Sequence, residues 1–489
     1  GIEFEGIFED ATANITVANN QITDTQEDGI FVDDIEGNAV ATITVADNTL
    51  DTIGADGIEF DLIVEDATAN ITVANNQITD AQEDNIFIDN IEGNAVATIT
   101  ISDNVIDAAN VTGDEAGGDG IEVDFIRDNA NATITVANNQ ISNVAFEGIE
   151  FDDIEGDAIA TITVENNQIN SGETGIEVGD IENRANATIA LTGNTITVAD
   201  EEGIFFDDIE NDTVSNITIA ENTILSAATQ GIEFDVIEDN ANATINIVNN
   251  QISDVGEEGV FFNDIQENAT AAITVTGNTI TNAGDDGIEL TLIEDNANVT
   301  ATVTDNTITN PGADGVRIEH TADTDLCLAL DNNSVTTPGG DGFELVSNGA
   351  GQFQVLDQAN VTARNVGTFD PADIETNADF VEGTAGVAPC PWWLWGLVTQ
   401  DKPRPDPQFF LKLKNRVSNW TWFNHKSAFS TLLEYRLSLY LIELLETRIS
   451  VIFAAAIDNL SLYLQQSLTG KILWLFNPNI TDNLTNEKE

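Results

Sequence analysis

The chain has 489 residues, of which 86 are acidic and 14 basic, and a net charge of -72. A polyanion of this density excludes nucleic acid and anionic membranes as partners recognised by charge, because both would repel it. Cations and cationic partners are its natural company.

The charge is unevenly spread. From Pro391 onward there are 10 Lys+Arg and 9 Asp+Glu, so residues 1–390 hold 14 - 10 = 4 basic and 86 - 9 = 77 acidic residues, near -73 against +1 for the tail. All six Trp, all three Tyr and every Lys also lie in the tail. The break predicts two regions, an acidic region over 1–390 and a Trp/Leu-rich tail over 391–489. Met is absent and "GIEFEG" already sits inside a repeat, so residue 1 is not expected to be the native start.

Taken in chain order, the first region repeats itself. A glycine recurs at Gly1, Gly29, Gly57, Gly120, Gly148, Gly175, Gly203, Gly231, Gly259, Gly287, Gly315 and Gly342, with Asn85 as the single replacement. The step is 28 residues, with two of 27 and one of 35 that absorbs "ANVTGDEAGG". Because Asn tolerates a left-handed backbone, the column is expected to be a turn with positive φ. After each glycine comes an apolar, variable, apolar run such as Ile58, Glu59, Phe60. A second alternating run follows, such as Ala41, Thr42, Ile43, Thr44, Val45, and ends at an Asn followed by Ile or Leu. Alternation with β-branched residues predicts half-buried strands, and no helical stripe precedes residue 400.

A unit this small cannot bury its own apolar row, so successive units must stack, with equivalent residues about 4.8 Å apart. About thirteen coils would give a rod on the order of 60 Å long. Its interior is expected to hold the residues flanking the Glu, the Ile of "DDI", the Ile and Val of "TITV" and the Ile after the Asn. That Asn forms an unbroken column from Asn20 to Asn333, which suits a solenoid corner where stacked amides satisfy buried turn groups.

The Gly-apolar-x-apolar strand, the "TITVANNQI" strand with its Asn column and the 28-residue step resemble the right-handed parallel β-helix of the pectate-lyase-like class. More narrowly they resemble repetitive secreted or surface-displayed bacterial β-helix proteins. The resemblance covers residues 1 to about 390 and implies an all-β right-handed parallel β-helix. It leaves function open, since the class hosts lyases, hydrolases, adhesins and structural rods.

The expected function is a non-catalytic structural or adhesive rod, secreted or on a cell surface, with a carbohydrate or cell-surface partner. A polysaccharide-active lyase or hydrolase of the same fold is the alternative. The resembling lyases use Arg or Lys as base, and the first region offers only Arg127, Arg184, Arg317 and Arg364. The acid pairs Asp33-Asp34, Asp152-Asp153 and Asp207-Asp208 recur at one phase of the repeat, whereas a catalytic pair should break its column. The least repetitive set is Arg317, Glu319 and His320, although Arg317 has a plainer role between Glu289 and Glu344, neutralising both.

Two further columns carry chemistry. Two residues after each turn, Glu alternates with Phe over much of the chain (Glu3, Phe31, Glu59, Phe87), which spaces like charges and offers exposed rings as a patch for sugars or a partner. Two residues further on, Asp33, Asp61, Asp89, Asp124 and Asp152 follow without spacers. Carboxylates so stacked offer oxygen ligands to a hard cation, Ca²⁺ being the expected cofactor, beside the plainer reading of a solvated acidic face. Outward Thr pairs such as Thr42/Thr44, Thr98/Thr100, Thr133/Thr135, Thr161/Thr163 and Thr300/Thr302 are similar to the T-x-T array of ice-binding solenoids, a third reading. Thr is also what any exposed strand favours.

The ending "NADFVEGTAGVAPC" resembles terminal segments of the bacterial repeat type. A Cys327–Cys390 disulfide tying down the last coil is expected, with export to an oxidising compartment. Beyond it, the Leu-rich stretch of the tail is helix-prone, but Glu443, Glu446, Arg448 and Asp458 interrupt it, so no membrane span is expected.

Overall fold

A computed structural model describes residues 1–109, 118–321, 324–348, 351–370 and 381–383. All of them belong to the first of two units, Gly1–Lys402. The tail expected over 391–489 lies outside the described residues.

Each coil contributes one strand to each of three parallel sheets. In the third coil these strands are Ile58–Ile63, Thr68–Ala74 and Gln77–Ala81. The first and second sheets have 14 strands and the third has 12. Register is kept residue for residue along the second sheet, as where Ile43 pairs with Ile71 and Ile71 with Ile99, and shifts in the other two only at Ile169/Asn170 and Leu290/Ile293 among the described residues. A one-residue slip would turn every apolar side chain outward, so the alternating pattern itself fixes the stacking.

Twelve coils are complete, against the expected thirteen or so. The next coil opens with Phe343–Ser347 and Gln352–Leu356, but its third side is a 3₁₀ turn, Gln358–Asn360, and a short helix, Val361–Arg364. The repeat pattern has lapsed there, and the chain closes the coil with a helical turn instead of a strand.

The interior holds the residues the alternation assigns to it. Ile58, Phe60, Ile63, Ile71, Val73 and Ile78 are all fully buried, joined by the small Ala67 and Ala69 where the second strand enters. Burying each large side chain contributes about 1.5–3 kcal/mol. Aligned aromatics stack along the axis, with Phe206 and Phe234 centroids 4.6 Å apart and Phe234 and Phe262 4.9 Å apart.

The Asn column is a closed hydrogen-bond ladder. The Asn76 side-chain amide donates to Val45 O at 2.9 Å in the preceding coil and to Asn104 Oδ1 at 3.0 Å in the next. The backbone N–H of Asn76 also donates to Asn104 Oδ1, at 2.9 Å. Both amide protons and both carbonyl lone pairs are therefore used at each rung from Asn48 onward, which is what makes a fully buried Asn affordable. A further rung, absent from the sequence pattern, is Asn365, which accepts from Asn333 and donates to Leu330 O and Val361 O. It caps the ladder after a step of 32 residues.

The glycine column has a different cause from the one its single Asn suggests. None of these glycines has positive φ; that conformation falls on Gly37, Gly93 and Gly156 and on Asn and Asp at other corners. Asn85 apart, what the column requires is the absence of a Cβ. At Gly231 it would stand 2.6 Å from Gly259 O and 2.6 Å from Ile252 Cγ2. Coil stacking and the apolar residue of the third sheet together leave no room.

Candidate functional site

The first sheet turns two kinds of side chain outward. Its leading row pairs Glu3 with Phe31, Phe31 with Glu59 and Glu59 with Phe87. The alternation lapses at Glu122, Glu150 and Glu177, three glutamates in direct register, and resumes at Phe205, Glu233, Phe261 and Glu289. The rings of Phe31, Phe87, Phe205 and Phe261 are half-buried instead of exposed, and each stands in register between two glutamates of the row. Arg317 then enters the same row, donating to Glu344 Oε2 at 2.9 Å and pairing with Glu289 and Glu319. The expected neutralisation of Glu289 and Glu344 is met, with Glu319 as a third partner.

Beside this row runs a seam that the sequence reading passed over. In two stretches of the rod the Asp before the column position reaches along the axis and accepts a backbone N–H from the next coil. Asp56 Oδ1 accepts from Asp84 N at 2.8 Å, Asp84 from Asp119 at 2.7 Å and Asp119 from Glu147 at 2.6 Å. Asp286 and Asp314 continue the pattern with the N–H groups of Asp314 and Asp341. The seam runs opposite to the Asn ladder: there the earlier coil donates, here the later one does. The signal was the acid of "DG" and "EG", which looks like ordinary turn chemistry until the coils are stacked.

Seam and row converge on three alike triads, Asp28/Asp56/Glu59, Asp84/Asp119/Glu122 and Asp119/Glu147/Glu150, in each of which one oxygen per residue lies within 4.8 Å of the others. Burial, then the Asp84 charge, pushes Asp56 up to about 7, and burial followed by Asp56 pushes Glu59 up to about 8. Asp119, 6 % exposed, is raised further by burial and then by Glu150, and Glu122 by burial and then by Asp84. Glu177 is pushed up to about 8 by burial and then by Glu147. At neutral pH such groups hold protons or gather cations, and oxygen triads at this separation suit a hard cation.

The predicted metal residues Asp33, Asp61, Asp89, Asp124 and Asp152 stand half-exposed on the same sheet. Four of them stand there as hydrogen-bonded pairs, and none of the five belongs to a triad. Asp61 is raised by burial and then by its hydrogen bond with Asp89, and Asp124 by burial and then by its hydrogen bond with Asp152.

Arg317, Glu319 and His320 do not converge. Strand alternation over Val316–His320 keeps Arg317 and Glu319 outside and sends His320 into the core, fully buried, with Nε2 2.8 Å from Thr324 O and the ring 6.0 Å from Phe353. Cys327 occupies the register of Thr300 on the second sheet yet is fully buried. Its expected partner Cys390 lies outside the described residues. The T-x-T rows are interrupted by Asn70, Asn216, Ala272 and Cys327, and Thr302 is buried. A shallow depression of about 250 Å³ on the third sheet is lined by Asp107, Gln140, Ser142, Gln168 and Asn170 among others.

Residues 119–301 match the family model described as the right handed beta helix region. The rod is a parallel β-helix. No curated protein and no solved structure is matched. Among the described residues of the β-helix, no helix is long and apolar enough to cross a membrane.

Proposed function

We propose that this β-helix is a non-catalytic structural or adhesive rod, displayed outside the cell, whose acidic faces gather cations such as Ca²⁺. One observation carries the reading: the outward chemistry of the first sheet is laid down in rows along the axis, and the basic groups that enter this face, Arg127 and Arg317, are consumed by carboxylates of the rod itself. Rows suit extended contact, whereas catalysis needs unlike groups gathered at one point. The buried position of His320 takes the most distinctive acid-base candidate away from that face.

The test is a carbohydrate array and a reducing-sugar release screen run on the same full-length preparation. The rod reading expects retention on a glycan or cell-surface fraction with no release of reducing ends. Catalytic release of sugars or of unsaturated products would establish the polysaccharide-active alternative instead.

A further inference from the structure

We propose that the outer face of the first sheet docks an extended, arginine-bearing polypeptide segment lying along the rod. The inference deepens the adhesive reading and rests on it. The face offers rings and carboxylates at alternating steps, with Phe31, Phe87, Phe205 and Phe261 in the Glu row and Phe125 in the neighbouring row opposite Asn90 and Asp153.

The rod already shows what this face does with a guanidinium. Arg127 lies with Cζ 4.8 Å from the centroid of Phe125 while it bonds Glu92 at 2.7 Å. Arg317 lies in the Glu row itself and engages Glu289, Glu319 and Glu344. Stacking on a ring combined with forked bonding to carboxylates is a property of arginine and not of lysine. Arg184 and Arg364, the other arginines of the described residues, are also paired, with Asp157 and with Asp331 and Asp357.

The stretch Glu122, Glu150, Glu177 has the same chemistry without an arginine of its own in the row. Phe87 precedes it by one coil and Phe205 follows it by one coil. All three glutamates stay partly accessible. A peptide is favoured over a compact cation by the length of the row and its even spacing. A polyproline II segment repeats every three residues, about 9.3 Å, close to the roughly 9.6 Å spanned by two coils. Arginine at every third position therefore keeps step with every second coil.

The experiment uses the full chain and fluorescently labelled peptides of repeating Arg-Pro-Pro and Lys-Pro-Pro, titrated by anisotropy at physiological ionic strength. The Arg-Pro-Pro peptide is expected to bind the more tightly. The combined variant Glu122→Gln, Glu150→Gln, Glu177→Gln is expected to weaken it about tenfold, a typical loss for a few charge-assisted contacts. The control removes three charges elsewhere, by Asp47→Asn, Asp103→Asn and Asp305→Asn. These are exposed positive-φ corners at which Asn19, Asn75 and Asn138 stand in other coils, so folding is unaffected. The control is expected to bind within about twofold of the parent, as screened exposed charges should. Thermal melts confirm that both variants fold. Equal losses in the two variants, or equal binding of the lysine peptide, would reduce the effect to general polyanion attraction and overturn the docking face. Absent peptide binding with no sugar release overturns the docking face alone, whereas sugar release overturns the rod reading beneath it.

Discussion

The carboxylate of Asp119 accepts the backbone N–H of Glu147 at 2.6 Å while an oxygen of each side chain, with one of Glu150, lies within 4.8 Å of the others. One group thus holds two coils together by its hydrogen bond and strains them by its charge. Which effect dominates depends on protonation.

Stability is expected to fall as pH rises. Asp56, Glu59, Glu177 and Glu233 have folded pKa values of about 7 to 8 against ordinary values of 3.8 to 4.5, burial being the first cause in each. The native state therefore binds more protons than the unfolded chain between about pH 4 and 8. The slope of unfolding free energy with pH is negative there. The contribution is complete below about pH 4 and is lost on rising through pH 8. Calorimetric melting temperatures should drop by several degrees between those limits; a flat or rising profile contradicts the stacked-acid account.

Removing the charge of Asp119 and removing its hydrogen bond are expected to act in opposite directions. Asp119→Asn keeps an acceptor for the N–H of Glu147 and should raise the melting temperature at pH 8 with little change at pH 4. Asp119→Ala leaves that N–H without its partner, at a cost of about 1–3 kcal/mol at low pH where charge no longer competes. Chemical denaturation at the two pH values separates them, and matching behaviour of Asn and Ala would remove the hydrogen bond from the explanation.

The Asn ladder should be far less tolerant. Asn167 accepts from Asn139 twice and donates to Val136 O and Asn194 Oδ1. Asn167→Ala strands several buried groups together, and a loss of roughly 3–5 kcal/mol is expected from the cost of unpaired buried polar groups. Asn20→Ala, at a half-buried first rung, should cost visibly less. Urea midpoints that rank the two the other way would show that the ladder is not what holds the corner.

Divalent cations should stabilise beyond screening. Ca²⁺ is expected to raise the melting temperature more than NaCl of matched ionic strength at pH 8, and to lose that advantage near pH 4, where Asp56, Glu59, Asp119, Glu122 and Glu150 are protonated. Equal shifts from the two salts at pH 8 would leave only screening.

The expected Cys327–Cys390 bond predicts that oxidised, denatured protein titrates no free thiol and that reduction exposes two. Two thiols before reduction would end the argument from disulfide to export.

Much of the fold is legible because its causes are local and repeated. Alternation in stretches such as Ile58, Glu59, Phe60 reports which face is buried, and recurrence fixes the register. The reading of Gly231 and its equivalents went astray because two physical demands, positive φ and missing space, select the same residue, and only stacked coils tell them apart. Asp84 and Asp119 were overlooked for a related reason: their partners are residues of another coil, invisible in a chain read linearly. Asn365 was missed because a helical turn alters the step before it. His320, by contrast, was readable, since Val316, Ile318 and His320 alternate into one face.

The direction of the sheet hydrogen bonds gives the rod a mechanical character. They run coil to coil, along its length, so a pull on the two ends loads the coils in series and detaches them singly. Each coil of 28 residues that yields releases about 95 Å of extended chain in exchange for about 4.8 Å of rod. Under tension the molecule would act as a reel that pays out line one turn at a time, limiting the force passed to whatever it is fastened to.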